Sequence, residues 1–196
     1  MKVLGLDVST SNVGFCLLDT ECSQSNGVLL AYGIPLGKIK GLYAKSCVIR
    51  SSIQEIAKDY CVDVVVVEEP LQAFRSRMSS AHTIAKLNRF NGIVSFIARS
   101  EINCPVQMGN VISVRKSVGI KLEKKSDKNT KEQILEWVAA RKEMKNFEWP
   151  TKKLKSGPNA GTIRHEDYCY DIADAFVVAL WGSMFLKIED LDDTIL

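Results

Sequence analysis

Acidic residues interrupt stretches of this chain that are otherwise apolar. Asp7 lies within "KVLGLDV", Glu68 and Glu69 directly follow a run of valines, and Asp171 and Asp174 lie within "YDIADAFVVAL". Removing an unpaired carboxylate from water costs several kcal/mol. Bringing carboxylates together adds repulsion of up to about 4 kcal/mol per pair at a separation of about 4 Å and an effective dielectric of about 20. These positions therefore need either local partners or a bound cation.

A divalent cation held by such acids would favour phosphodiester chemistry. The chain has two histidines and no Cys-x-x-Cys pair among its six cysteines, which argues against zinc and leaves oxygen ligands. Oxygen ligands suit Mg²⁺, and Mn²⁺ can replace it. Two such ions about 3.5–4 Å apart clamp a phosphodiester, one activating water and the other stabilising the leaving oxygen.

Hydrophobic periodicity predicts the elements that must position these acids. Residues 2–8, 14–18 and 29–34 have the pattern of three consecutive antiparallel strands, and 42–60 that of an amphipathic helix. The valines of 62–67 predict a strand buried on both faces, parallel to its neighbours and covered by helices. The elements expected after it are a helix over 83–99, a short strand in "CPVQMGNVI", a brief helix or turn in "VRKSVGI", a helix from Thr130 to about Met144 and a buried helix in "DYCYDIADAFVVALWGSMFLK". The predicted fold class is α/β, with a mixed five-stranded sheet (three antiparallel, then parallel strands) flanked by helices.

This fold would bring four of the acids together at one end of the sheet. Sites in open α/β sheets form at the carboxyl ends of strands, and Asp7 and Glu68 lie near such ends. A spacing of three puts Asp171 and Asp174 on the same face of the last helix, which must pack on the sheet. We therefore expect a cluster of Asp7, Glu68, Asp171 and Asp174.

Each acid also has an ordinary structural explanation. Asp7 can cap the turn "STSN", Glu68 can be a solvated strand end, and Asp171 can be a first-turn acid that the helix dipole favours. Asp174 is the hardest to explain in this way, because apolar residues flank it on a buried helix. Convergence on one site accounts for all four acids.

Composition predicts one domain over residues 1–196. The chain is 46% hydrophobic and 25% charged, and no Gly/Ser/Pro-rich linker divides it. A long surface loop is expected at about 146–166, where two prolines and two glycines replace periodic apolar residues. Residues 115–155 contain 13 Lys/Arg and 6 Asp/Glu, a local charge of +7 that indicates a polyanionic partner or a solvated face.

Hydropathy predicts a soluble protein with no membrane partner. The longest apolar stretch, Ile172 to Leu186, is interrupted by Asp174 and is too short to span a bilayer. Asp7 also interrupts the first apolar run before it can form the core of a signal peptide. We therefore expect a cytoplasmic protein that is not secreted.

Three segments resemble the RuvC family of Holliday junction resolvases, within the RNase H-like (retroviral integrase) superfamily. They are "GLDVSTSNVGF", "VVVVEEP" and "YDIADAFVVAL", and the resemblance runs over nearly the whole chain. It implies an RNase H-like fold and a homodimer in which Asp7, Glu68, Asp171 and Asp174 are the catalytic residues and hold two Mg²⁺ ions. Glu68 is preferred over Glu69 because the family's glutamate directly follows the apolar run. The differences from bacterial members resemble resolvases of phages and large DNA viruses, and hence a bacterial or viral replication compartment.

Basic residues match the family more loosely. "VRKSVGI" resembles its junction-binding turn, which implies DNA contacts by Arg115 and Lys116, and Lys121 lies in the charged loop that follows. Lys131 resembles a second lysine that contacts phosphate, a type of contact that positions DNA without reading its sequence. The aromatic wedge of bacterial members has no match at its usual place, and Phe74 is the aromatic residue that could replace it.

Several functions are compatible with these features. The leading hypothesis is a Holliday junction resolvase, a metal-dependent crossover junction endodeoxyribonuclease that cuts four-way DNA by paired symmetric nicks in recombination, repair or replication. The same chemistry could instead act on flaps, forks or RNA/DNA hybrids. Actin and sugar-kinase ATPases also open with a hairpin like "DVSTSNVG", although this chain has room for only one such domain. A DNA-binding module without activity is a further alternative, against which the intact acid set argues.

Overall fold

The computed structural model describes residues 1–21, 27–70, 80–157 and 160–187. Five strands form its central sheet: Lys2–Val8 (β1), Asn12–Asp19 (β2), Val28–Pro35 (β3), Val64–Glu68 (β4) and Val106–Gly109 (β5). Their spatial order is β3-β2-β1-β4-β5. The β1–β2 and β2–β3 pairs are antiparallel, and the β1–β4 and β4–β5 pairs are parallel. The predicted mixed sheet is confirmed.

Helices cover both faces of this sheet. Their bounds are Leu42–Asp59 (α1), Ala81–Ile102 (α2), Val111–Ser117 (α3), Thr130–Ala139 (α4) and Cys169–Phe185 (α5). Side chains alternate along β4, so that Val65 and Val67 pack in the core under α1 and α2, whereas Val64 and Val66 pack in the core under α3, α4 and α5. The strand is therefore buried on both faces, as its valines predicted.

Two predicted elements differ from the structure. The helix that begins at Thr130 ends at Ala139 and is followed by a 3₁₀ turn over Lys142–Met144; it begins with a capping box made by Asn129 and Glu132. The loop predicted at about 146–166 contains a two-stranded hairpin, Thr151–Lys153 (β6) and Ile163–His165 (β7). Strands of three mostly exposed residues are too short to produce a readable period of alternation.

Among the helices that the structure describes, none is both long enough and apolar enough to cross a membrane.

Candidate active site

Three carboxylates meet at the carboxyl ends of β1 and β4. One oxygen each of Asp7, Glu68 and Asp174 lies within 4.8 Å of the others. The parallel register pairs Leu6 with Val67, so the residues that follow them, Asp7 and Glu68, are neighbours across the two strands. Because successive side chains of a strand alternate, both acids face α5, which supplies Asp174. The predicted convergence of these three acids is present in the structure.

Asp171 joins this cluster from the first turn of α5. It is 4% exposed, and burial, which has the largest effect, raises its pKa, although the side chains of Asp7 and Asn12 lie near enough to lower it. The structure therefore places Asp171 beside the group formed by the other three predicted acids.

Glycines allow α5 to lie directly on the sheet at this point. A Cβ on Gly14 would lie 2.0 Å from the backbone oxygen of Asp171, and one on Gly5 would lie 2.1 Å from that of Ala175. Gly14 is the antiparallel partner of Asp7. The missing side chain thus lets the helix backbone at Asp171 approach the strand pair that carries Asp7.

The environment of the cluster disfavours full ionisation. Burial raises the pKa of Asp7 well above its ordinary value, and the charges of Glu68, Asp174 and Asp171 raise it further. Burial raises the pKa of Glu68 to about 8, and the charge of Asp174 adds to this effect. Burial also raises the pKa of Asp171. Near neutral pH the cluster therefore keeps protons that a divalent cation would displace.

The structure distinguishes Glu68 from Glu69. Glu69 Oε2 accepts a hydrogen bond of 3.2 Å from Asn110 Nδ2, at the start of α3, and Glu69 is not one of the three clustered acids. Glu68 Oε2 is buried and has no hydrogen-bond partner in the described part of the chain. A buried carboxylate oxygen without a donor is costly, so this atom needs a ligand such as a cation.

Two of the predicted DNA-binding residues lie against these acids. Arg115 Nη2 donates to Asp174 Oδ1 at 2.7 Å. Lys131 lies in the first turn of α4, where it is exposed, and its charge opposes the rise in pKa of Asp7, Glu68 and Asp171. The other predicted contacts are placed differently: Lys116 and Lys121 are exposed outside the cluster, and Phe74 lies outside the described residues.

Solved structures with the same architecture were found by comparison. RuvC from Thermus thermophilus has a TM-score of 0.59 and 17% identity, and the match covers 93% of both chains. For the same protein in complex with a Holliday junction substrate the TM-score is 0.61, with 16% identity and coverage of 93% of this chain and 92% of that one. This chain has the RuvC fold.

A second solved protein supports this assignment of fold. The yeast mitochondrial Holliday junction resolvase Ydc2 has a TM-score of 0.51 and 16% identity, with 91% of this chain and 76% of Ydc2 covered. No family model and no curated protein sequence matches the chain. At such identities the likeness shows the fold alone, and the expected RNase H-like architecture is confirmed.

Within this RuvC fold, two asparagines support the acids, and sequence reasoning missed both. Asn12, at the start of β2, contacts Asp171, but "STSN" predicted only a turn. Asn91 in α2 is 2% exposed, and its Nδ2 donates to the Glu68 backbone oxygen at 3.0 Å. The signal that could have found Asn91 is an amide on the otherwise apolar face of a helix, since a buried amide needs a partner.

The donor set of the RuvC-fold site fits a hard divalent cation. All four acids offer oxygen, and Mg²⁺ and Mn²⁺ prefer oxygen ligands. The unpartnered Glu68 Oε2 is an acceptor that such an ion would satisfy. The clustered carboxylates are therefore compatible with metal binding.

Proposed function

We propose that this chain is a Holliday junction resolvase, a metal-dependent endonuclease that cuts four-way DNA by paired nicks. The observation that carries the proposal is the buried group of Asp7, Glu68 and Asp174 at the end of a RuvC-fold sheet, with one Glu68 oxygen unpartnered. The choice of branched DNA is supported by the RuvC complex with a Holliday junction substrate and by the name of Ydc2.

In the proposed mechanism, Asp7, Glu68, Asp171 and Asp174 hold two divalent ions, Mg²⁺ or Mn²⁺. Bound ions would supply the Lewis-acid stabilisation and water activation that phosphodiester cleavage needs. Asn12 lies beside Asp171 and favours its charged form, and Asn91 fixes the backbone at Glu68 through a hydrogen bond to its carbonyl oxygen. Lys131 is exposed beside the acids, so its ammonium group can bind the phosphate that is cut. Cleavage would leave 5′-phosphate and 3′-hydroxyl ends.

Substrate choice tests the function. With Mg²⁺, a mobile four-way junction should be nicked faster than a flap, a fork or an RNA/DNA hybrid of matched sequence. The two nicks should be symmetric, and DNA ligase should reseal them because their ends are 5′-phosphate and 3′-hydroxyl. Cutting of the hybrid alone would contradict the proposal and favour an RNase H activity. ATP binding without any cutting would favour the kinase-like alternative.

A homodimer is part of this proposal, because symmetric paired cuts need two active sites related by a two-fold axis. We propose that it forms through the outer face of α1 and α2. Tyr43 and Phe96 are 84% and 62% exposed there, and they line a groove together with Ile93 and Ile97. An apolar groove of this kind on the surface indicates a protein interface, and a second copy of the chain is the partner that paired cutting requires.

Phe96→Glu should therefore convert the dimer into a monomer, because a charge would be buried at the interface. The measurement is mass by light scattering, combined with cutting of a cruciform plasmid, where the variant should yield nicked circles instead of linear DNA. Met184→Glu is the matched control, because Met184 is 57% exposed on α5, away from α1 and α2. A wild-type protein that stays monomeric with and without junction would contradict the interface.

A further inference from the structure

Arg115 engages a carboxylate that the proposed metal site also needs. The Arg115 and Asp174 side chains are 19% and 6% exposed, and their ion pair is 2.7 Å long. Asp174 is one of the three acids whose oxygens lie within 4.8 Å of one another. The guanidinium charge also opposes the rise in pKa of Glu68, a second member of that group. Arg115 thus supplies positive charge where a divalent ion would bind.

An arginine and a divalent ion compete at such a place. Asp174 Oδ1 accepts the hydrogen bond from Arg115, so this oxygen is occupied by a donor. Two cations that share one carboxylate repel each other, and the repulsion is weakly screened where the side chains are buried. A metal ion that uses Asp174 fully must therefore displace the guanidinium from it.

One N–H group of the same guanidinium also lacks a hydrogen-bond acceptor in the described part of the chain. Arg115 Nε is buried, and it has no acceptor among the residues that the structure describes. A buried N–H without an acceptor is costly, and a phosphate oxygen is the acceptor that a DNA substrate would bring. Arginine binds phosphate through two parallel hydrogen bonds, which one carboxylate oxygen cannot provide.

We infer that Arg115 couples DNA binding to metal loading, holding Asp174 in the free protein and transferring to a DNA phosphate, so that Asp174 becomes available to a divalent ion. The inference rests on the proposed function, because it takes DNA as the source of the phosphate. Arg115 is a positioning residue in this scheme. The α3 helix that carries it packs against α5 through Val114, so both partners of the ion pair lie on helices in contact.

The coupling is reciprocal by thermodynamic linkage. A bound junction should tighten metal binding, and metal should tighten junction binding by the same factor. A phosphate oxygen that ligates the metal directly would contribute to this factor in every variant. The contribution of Arg115 to the coupling between junction binding and metal binding is therefore the portion of this factor that is lost when the arginine is replaced.

The test is Mn²⁺ binding to the whole chain, followed by the electron paramagnetic resonance signal of free Mn²⁺, with and without an uncleavable four-way junction. Replacing the bridging 3′ oxygens near the crossover by methylene groups keeps the charge of the junction and prevents cutting. Without DNA, Arg115→Gln should bind Mn²⁺ about tenfold more tightly than wild type, within the usual range of coupling between sites. Lys58→Gln is the control, because Lys58 is exposed in the last turn of α1, on the other side of the sheet from the acids, and its replacement should leave the affinity unchanged.

With the junction present, Mn²⁺ affinity should rise at least about fivefold more in wild type than in Arg115→Gln. Arg115→Lys should fall between them, because an ammonium keeps the charge but holds the carboxylate less firmly; this variant also serves if the glutamine variant does not fold. Equal or weaker Mn²⁺ binding by Arg115→Gln would overturn the inference while leaving the proposed function intact. Absence of Mn²⁺ binding in every form, wild type included, would instead overturn the proposed metal-dependent function.

Discussion

Asp7→Asn should reduce cutting of a four-way junction by at least about 10²–10³-fold while the variant still binds the junction. Asp7 lies at the centre of the acids, since one of its oxygens is within 4.8 Å of those of Glu68 and Asp174, and the charges of Glu68, Asp174 and Asp171 all raise its pKa. An amide has nearly the same shape but supplies no charge to a metal ion. Junction binding should change little, because basic residues, not acids, attract phosphate.

The same variant should stabilise the protein in the absence of metal. The pKa of Asp7 is raised by burial and then by the charges of neighbouring acids, so the folded state holds its proton to higher pH than the unfolded state does. Stability must then fall as pH rises above the unfolded-state pKa, because unfolding releases that proton. An asparagine has no proton to lose, and at about pH 8 the gain should be about 1–2 kcal/mol.

Two measurements distinguish the effect of Asp7→Asn on catalysis from its effect on stability. Urea unfolding in the presence of EDTA gives the free energy of unfolding without metal, and nicking assays give the rate of cutting. Asp59→Asn is the control, because Asp59 is an exposed acid at the end of α1, and its replacement should shift stability by less than about 0.5 kcal/mol. Cutting by Asp7→Asn at the wild-type rate would remove Asp7 from the mechanism. Loss of junction binding together with lower stability would show that the substitution damages the fold instead of the metal site.

The sheet and the acids could be predicted from the sequence for different reasons. Buried strands leave a recognisable run of apolar residues, and acids within apolar segments are energetically costly and therefore conspicuous. Four consecutive valines suit a strand that is buried on both faces, and the structure buries them on both. Burying a carboxylate among apolar residues costs free energy, so the sequence alone indicates that Asp174 has a partner or a function. In the structure, α5 lies close to the sheet at Gly14, and this approach places the acids of the helix beside those of the strands.

Other features of the site could not be predicted, because they depend on tertiary packing. The segment "VRKSVGI" does not indicate whether its arginine binds DNA or a carboxylate of the protein itself. Arg115 reaches Asp174, 59 positions further along the chain, because α3 packs on α5. Asparagines such as Asn12 and Asn91 do not stand out in a sequence, because neutral amides are common in turns and at helix ends without any role in a site. The hairpin of β6 and β7 has strands of three residues, and Ile163 within it is 72% exposed, so no amphipathic pattern marks it.

Glu68→Gln and Glu69→Gln form a matched pair for which we expect opposite results. The two glutamates are adjacent, but only Glu68 belongs to the acid cluster, whereas Glu69 bonds to Asn110. Glu68→Gln should lower cutting by about 10²–10³-fold, because a neutral amide replaces a charged metal ligand. Glu69→Gln should stay within a few-fold of wild type. The reverse pattern would show that Glu69 is the metal ligand.

The pH dependence of Mn²⁺ binding gives this pair a second readout. The pKa of Glu68 is raised to about 8, so metal binding below that pH must release a proton from the cluster. The apparent Mn²⁺ affinity of wild type and Glu69→Gln should therefore rise by up to about tenfold per pH unit for each proton released. Glu68→Gln should show a shallower rise from about pH 6 to about pH 8, because the proton of Glu68 is no longer there to be displaced. Equal slopes in the two variants would mean that Glu68 does not exchange its proton for the metal, whatever the effect of its replacement on cutting.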